Sequence, residues 1–389
     1  MKIILITSEC LDEFPPVSTL LKVLERQGHE VTFISPFHDP AFELLHLSTC
    51  IHKYVFEKKA KWLTKYYKQH LKASLAFHMD RMLKRICINQ IPGKYSAELQ
   101  NADIVWILHE NTMLLGGKRF TKRLKAYLYT MYELCIKNDH LPRIYDFAAR
   151  KAVLTVVPEY FRAHIAKAYY NLSEMPAIIP NKPLDHPRVK NMPISDPEIA
   201  TKINDLKQSG KKIIMYMGIL SSERPLEPLI EATYNSDSYI LAVLGARTPY
   251  LDKLQQKMGD RFEYLGVVKP PYHLEVASHA YVAYISYVAN NGSINAVFCA
   301  PNKVYEFAGF GIPMLCNDNP GLKFTVEYNG MGVCVQDLSI DEITKVLQKI
   351  EKHSSEMSEA ALRYYEEESV ELAVQRTLAR YISIKEEKK

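Results

Sequence analysis

No uninterrupted apolar run in this 389-residue chain reaches the roughly 18 residues of a bilayer-spanning helix, so no membrane span is expected. The seven cysteines (Cys10, Cys50, Cys87, Cys135, Cys299, Cys316 and Cys334) are scattered and form no CxxC or Cys/His cluster. That pattern speaks against a zinc site and for a reducing, cytoplasmic setting. The thirteen histidines include no HExxH pair, which leaves metal-assisted hydrolysis without support. Nucleic-acid motifs, low-complexity segments and short repeats are also missing. The opening MKIILITSECLDEF has one lysine and a short apolar run, then acids at Glu9, Asp12 and Glu13 and no small-residue cleavage site. It is expected to be a first strand rather than a secretion signal.

What is present describes a soluble globular chain, 47% apolar and 24% charged, long enough for two domains of ordinary size. The net charge of +5 is unevenly spread. His52 to Arg85 carries ten Lys or Arg against two acids, and Lys118 to Lys125 carries five bases and no acid. In the first of these, Tyr54, Phe56, Trp62, Tyr66, Tyr67, Leu71 and Phe77 alternate with the lysines. An interfacial helix on anionic lipid, a nucleic-acid surface and a plain solvated helix face all fit; the lipid surface is preferred, with no nucleic-acid partner expected.

Lys2 to Glu9, KIILITSE, is a continuous apolar run of the kind buried on both faces of a parallel sheet. A helical pattern through Val17, Leu20, Leu21 and Leu24, a stop at Gly28 and the strand HEVTFIS complete a strand–helix–strand unit. Further strands are expected over Asp103 to His109 and Ala152 to Val157. Between Ala177 and Pro197 lie five prolines, with Pro176 just upstream, marking a linker. The alternation then restarts with KKIIMYMGIL, a helix over Leu226 to Tyr234, YILAVLG, a helix around Lys253 to Met258, FEYLGVV, HAYVAYISY, a helix at Val304 and IPMLCN. A second parallel sheet follows. The stretch from Ser355 to Ile384 is helical by period.

Ligands of open parallel sheets bind beyond the carboxyl ends of the strands. APNKVYEFAGFGIPML, Ala300 to Leu315, places Pro301 and Asn302 at a helix start and Lys303 and Glu306 on one helix face. The cation suits a diphosphate and the carboxylate two hydroxyls of a ribose; an ordinary helix with a Lys303–Glu306 pair in solvent is the competing reading. Gly218 permits a close turn after MYMG, and Arg224 is suited either to clamp a phosphate or to pair with Glu223 or Glu227. Val267 and Val268 are placed to offer backbone groups to a base or simply to pack. In the first half, Glu9, His109 and Glu110 end strands. Glu9 or Glu110 would take a proton from an incoming hydroxyl and His109 would hold a sugar hydroxyl, against the plainer reading of structural hydrogen bonders.

GHEVTFIS, AIIPNKP, YMGIL…RPLEPLIEA, AVLG, FEYLG, APNKVYEFAGFGIPML and NGMGVCV together resemble the retaining GT-B glycosyltransferases of family 4 over nearly the whole chain. The resemblance implies an α/β, GT-B fold: two Rossmann-like parallel-sheet domains facing a cleft, over residues 1–178 (acceptor) and 179–370 (nucleotide sugar), with a helix at 371–389 packing back on the first. It implies transfer from a nucleotide-diphosphate sugar to a saccharide or lipid-linked acceptor with retention, with no metal and no cofactor beyond the donor. The setting expected is cell-envelope polysaccharide or glycan synthesis, and the basic segments 52–85 and 118–125 add the expectation of a cytoplasmic protein peripheral on the inner membrane face. By position, Glu306 matches the ribose-binding carboxylate, Arg224 the basic residue on the diphosphate, Lys303 a second phosphate ligand, and His109 the strand-end histidine on the donor sugar. The family's Glu, seven residues, Glu pattern fails at its first position, Phe298, with Asn291 or Asn295 as substitutes. The first loop's Gly-Gly is replaced by LDEFPPVST, and Ile219 stands where an Arg often follows the strand-end glycine. A non-catalytic saccharide-binding or partner subunit and a non-hydrolysing sugar-nucleotide epimerase are the alternatives.

Overall fold

The computed structural model describes residues 1–56, 73–136, 143–234, 236–289 and 292–387. Two compact units divide the chain: residues 1–180 with 369–389, and residues 181–368.

The first unit is built on a seven-stranded parallel sheet of β1 (Lys2–Ile6), β2 (Glu30–Phe37), β3 (Cys50–Phe56), β4 (Ile104–Leu108), β5 (Leu128–Thr130), β6 (Leu154–Val157) and β7 (Ala177–Ile178). Their order is β3-β2-β1-β4-β5-β6-β7. Ile3 to Ile6 of β1 are buried on both faces, as an apolar run flanked by parallel partners requires. The helix Pro15–Arg26 starts at a proline and buries Val17, Leu20, Leu21, Val23 and Leu24, and the chain turns at Gly28 with φ +74°. The last helix, Val370–Glu387, belongs to this unit, tied down by Gln27 to the Glu371 carbonyl (2.8 Å) and by Lys385 to the Asp103 carbonyl (2.8 Å).

The second unit holds a six-stranded parallel sheet of β8 (Lys212–Met217), β9 (Tyr239–Leu244), β10 (Glu263–Gly266), β11 (Val282–Ile285), β12 (Met314–Asn317) and β13 (Gly332–Val335), in the order β10-β9-β8-β11-β12-β13. Its side chains alternate between two cores. Ile213, Met215 and Met217 face the helices Pro197–Gln208, Asn302–Ala308 and Ser354–Glu367, while Ile214 and Tyr216 face Glu227–Tyr234, Pro249–Met258 and Ile340–Lys352. Each sheet reverses its strand order once, between β1 and β4 and between β8 and β11. Such reversals open a crevice at the carboxyl ends of the two central strands.

Several expectations need correction. His52 to Phe56 are not the start of an interfacial helix but the edge strand β3, because β2 offers Val31 to Phe37 as pairing partners. Residues 57–72 of the basic segment lie outside the described residues, and a helix spans Ala73–Lys94. Not all of the segment's charge is free for a surface partner: Lys53 binds Glu98 (2.8 Å) and Lys84 lies between Asp80 (3.4 Å) and Glu9 (3.7 Å). The C-terminal stretch read as helical forms two helices, Ser354–Glu367 and Val370–Glu387.

Candidate functional site

In the second unit, the carboxyl ends of β8, β9 and β10 each carry a glycine. The Gly218 N–H donates to the Leu244 carbonyl (2.9 Å) and the Gly245 N–H to the Gly266 carbonyl (2.8 Å). A Cβ on Gly245 would sit 2.1 Å from the Gly218 carbonyl oxygen, and one on Gly218, whose φ is +131°, 2.3 Å from Nζ of Lys303. Only glycine at 218 leaves Lys303 the space that it occupies.

Lys303 is the second residue of the helix Asn302–Ala308; Pro301 caps this helix rather than opening it, and Asn302 is half-buried at its start. The Lys303 ammonium lies 5.4 Å from the ring centre of Tyr216 and 5.7 Å from that of Tyr287. Arg224, on the loop after β8, brings its guanidinium carbon to 4.8 Å from the Tyr287 ring, and its Nε is buried with no hydrogen-bond partner. The expected alternatives of Arg224 pairing with Glu223 or Glu227, and of Lys303 with Glu306, are not formed: Glu227 takes the Tyr250 hydroxyl (2.6 Å), and Glu306 lies 3.2 Å from Nε2 of His273. Burial, and next the charge of Arg224, pull the Lys303 pKa down to about 8, against the opposing pull of Glu306 and Cys299.

Fixed backbone holds both cations. The loop after β8 is pinned by the Tyr216 hydroxyl to the Ile219 carbonyl (2.5 Å), Thr248 to the Leu220 carbonyl (2.9 Å) and Tyr284 to the Pro225 carbonyl (3.1 Å). Tyr287 follows β11 and is gripped by Asn317, whose Oδ1 accepts its N–H (2.7 Å) and whose Nδ2 donates to its carbonyl (2.9 Å). His186 donates from Nε2 to the Glu306 carbonyl (2.8 Å), which anchors the helix beneath the carboxylate. The side chain of Val268 packs against the core, leaving its backbone as the group able to serve a ligand. Asn295 lies in the short helix Ile294–Val297 and Phe298 caps it; Asn291 lies outside the described residues.

At the reversal in the first sheet, β4 ends in His109, whose φ of +72° is strained for a side chain with a Cβ. Its Nδ1 accepts the Asn111 N–H (3.2 Å), which places the proton on Nε2, 3.4 Å from Glu110 Oε1. The Phe14 ring meets the imidazole edge-on at 4.3 Å. Burial holds the His109 pKa below its ordinary value, so the ring is neutral at pH 7. Burial raises the Glu110 pKa to about 8, and its Oε2 accepts the N–H groups of Tyr132 (3.2 Å) and Glu133 (3.3 Å). This backbone-bonded carboxyl holds the 132–133 segment, and burial disfavours its charged form. Glu9 is likewise engaged, by Ser8 (2.7 Å) and Lys84.

Among the described residues, no group of three or more His, Cys, Asp or Glu is placed to hold a metal, and no helix is long and apolar enough to cross a membrane. What the second unit offers is two cations over aromatic rings at a strand-order reversal, suited to a multiply charged anion.

The two Rossmann-like units define the GT-B fold, and solved structures share it over the whole chain. HepE from Anabaena, in complex with UDP and glucose, superposes with a TM-score of 0.67 at 13% identity, covering 98% of this chain and all of that one. Sucrose-phosphate synthase from Thermosynechococcus elongatus superposes with a TM-score of 0.66 at 13% identity, over 98% of this chain and 99% of its own. A putative UDP-N-acetylglucosamine 2-epimerase from Listeria monocytogenes does so with a TM-score of 0.63 at 14% identity, over 99% and 97%. No known family pattern and no curated relative matches the sequence.

Sequence reasoning missed Tyr216, Tyr287, His273 and Asn317. Tyr287 had a usable signal, since it ends the strand-like run HAYVAYISY just as Gly218 ends MYMG. His273 and Asn317 had none, because only folding brings them to Glu306 and Tyr287.

Proposed function

We propose that this chain is a glycosyltransferase moving a sugar from a nucleotide-diphosphate sugar to a saccharide or lipid-linked acceptor, with retention, in cell-envelope polysaccharide synthesis. The observation that carries this reading is the pair Arg224 and Lys303, held beside Gly218 without carboxylate partners. In this reading they take the diphosphate, the Val268 backbone the base and Glu306 the ribose. The bond from the sugar's anomeric carbon to the phosphate oxygen breaks, the two cations stabilise the charge left on the departing diphosphate, and the acceptor oxygen bonds to that carbon as its hydroxyl proton passes to the departing phosphate oxygen. His109, neutral with its proton on Nε2, is assigned a sugar hydroxyl. The complex of HepE with UDP and glucose supports a uridine nucleotide as the first donor to try.

The exposed side chains of Leu75, Phe77, Arg81, Met82, Arg85 and Ile86, with exposed Lys118, Arg119, Lys122, Arg123 and Lys125, support a peripheral site on an anionic membrane surface. The Listeria neighbour favours a second reading, sugar-nucleotide epimerisation. Thermal-shift screening of UDP-, GDP- and ADP-sugars, followed by product analysis with and without saccharide acceptors, tests both. Nucleoside diphosphate released only with an acceptor, and lost in Glu306→Ala and Arg224→Ala, is the expected result. An epimerised nucleotide sugar formed without any acceptor would overturn it in favour of the second reading.

A further inference from the structure

Arg224 and Lys303 present a physical problem. Two cations approach one another in a half-buried place, and among the described residues no carboxylate forms an ion pair with either, Glu306 acting on Lys303 only at longer range. Like charges so placed repel, and each would gain by turning to solvent or to an acid. The structure supplies a ring instead. Tyr287 has the Arg224 guanidinium carbon at 4.8 Å and the Lys303 ammonium at 5.7 Å from the same ring centre. The negative face of an aromatic ring attracts a cation without taking up its hydrogen-bond donors, as a carboxylate would.

The backbone that carries the ring is held in place. Asn317 closes two hydrogen bonds on the Tyr287 backbone, and Asn319 Nδ2 adds a third to its carbonyl at 3.3 Å. Tyr287 also stands at the end of β11, beside β8 at the reversal in strand order, where a ligand is expected.

The geometry points to Tyr287 as the positioning residue of the anion site: its ring, carried on a backbone that Asn317 holds, keeps Arg224 and Lys303 side by side with their donors free for the two phosphates of a nucleoside diphosphate. This inference rests on the diphosphate reading of the same site. It predicts selectivity. A diphosphate engages both cations, a monophosphate engages one, and a nucleoside neither, so the ring matters in that order.

The test is calorimetric titration of UDP, GDP and ADP, with the matching monophosphates and nucleosides, into wild type, Tyr287→Phe, Tyr287→Leu and Asn317→Ala. Tyr287→Phe keeps the ring and should bind diphosphate as wild type does. Tyr287→Leu should weaken the diphosphate by about 2- to 30-fold, the span of a cation–π contact, while leaving the nucleoside unchanged. Asn317→Ala should weaken it by less. A second readout separates positioning from mere packing. Lys303 faces Arg224, Glu306, Cys299 and the rings of Tyr216 and Tyr287, so losing one ring makes its proton easier to remove. The fall in diphosphate affinity on the alkaline side should then move to lower pH in Tyr287→Leu and stay put in Tyr287→Phe. Equal loss of diphosphate and nucleoside, or a Tyr287→Leu protein that binds diphosphate as wild type does, overturns the inference alone. A wild-type protein that binds none of the three diphosphates removes the reading of the site, and this inference with it.

Discussion

His109 and Glu110 are adjacent, buried and shifted in opposite senses, and the two shifts act on stability with opposite sign. Glu110 has a folded pKa of about 8 against an ordinary 4.5, so its contribution is complete below about 4.5 and is lost as pH rises through 8. His109 is kept neutral by burial, so the unfolded chain gains a proton that the fold refuses as pH drops below the ordinary 6.5. Between pH 6.5 and 8, Glu110 alone sets the slope of this pair. Glu110→Gln keeps an oxygen for the N–H groups of Tyr132 and Glu133 and has no proton to lose. The variant should be more stable than wild type at pH 8, with a thermal midpoint about 2–4 °C higher for each kcal/mol gained, and the gap should narrow as pH falls and close only near pH 4.5. Equal midpoints at pH 8 would mean that Glu110 is already ionised in the folded protein. The sequence marked both residues as strand-end candidates but gave no sign of their protonation, because burial by Phe14 and Tyr132 arises from distant segments.

The strand-to-loop turns at the carboxyl edge of the second sheet are the elements that make a site of it. Gly218, Gly245 and Gly266 end three neighbouring strands, and at Gly245 the contact is with backbone, which cannot swing away. Gly245→Ala should cost about 1–3 kcal/mol, seen as a lower unfolding midpoint of the second unit. It should also weaken nucleotide binding, since moving the Gly218 carbonyl disturbs the wall of the Lys303 site. Gly210→Ala is the control: φ is +74° there but nothing lies within 4 Å, so it should destabilise without touching binding. Unchanged stability in Gly245→Ala would show that the β8 and β9 ends are more loosely packed than the structure has them. Most strands were legible from their apolar runs. The edge strand β3 was not, because Cys50–Phe56 carries His52, Lys53 and Tyr54, and its pairing with β2 is a long-range choice.

At the scale of the molecule, the chain leaves its second unit at Glu368 and ends in the first. Val370–Glu387 buries Val370, Val374, Leu378, Tyr381 and Ile384, at about 1.5–3 kcal/mol for each large apolar side chain fully withdrawn from water. Truncation after Glu368 should therefore lower the calorimetric midpoint of the first unit and leave that of the second unchanged. A fall in both would mean that the units do not unfold independently. The sequence by itself determined two runs of strand and helix, a proline-rich passage between them, and the candidacy of Gly218, Arg224, Lys303 and Glu306 at strand ends and a helix start, because apolar period, proline and glycine act locally. The tertiary structure decided which cations stay unpaired, that Glu306 meets His273, and that Arg224 and Lys303 share the ring of Tyr287. Those contacts join residues tens of positions apart, and their geometry comes from strand order and from burial.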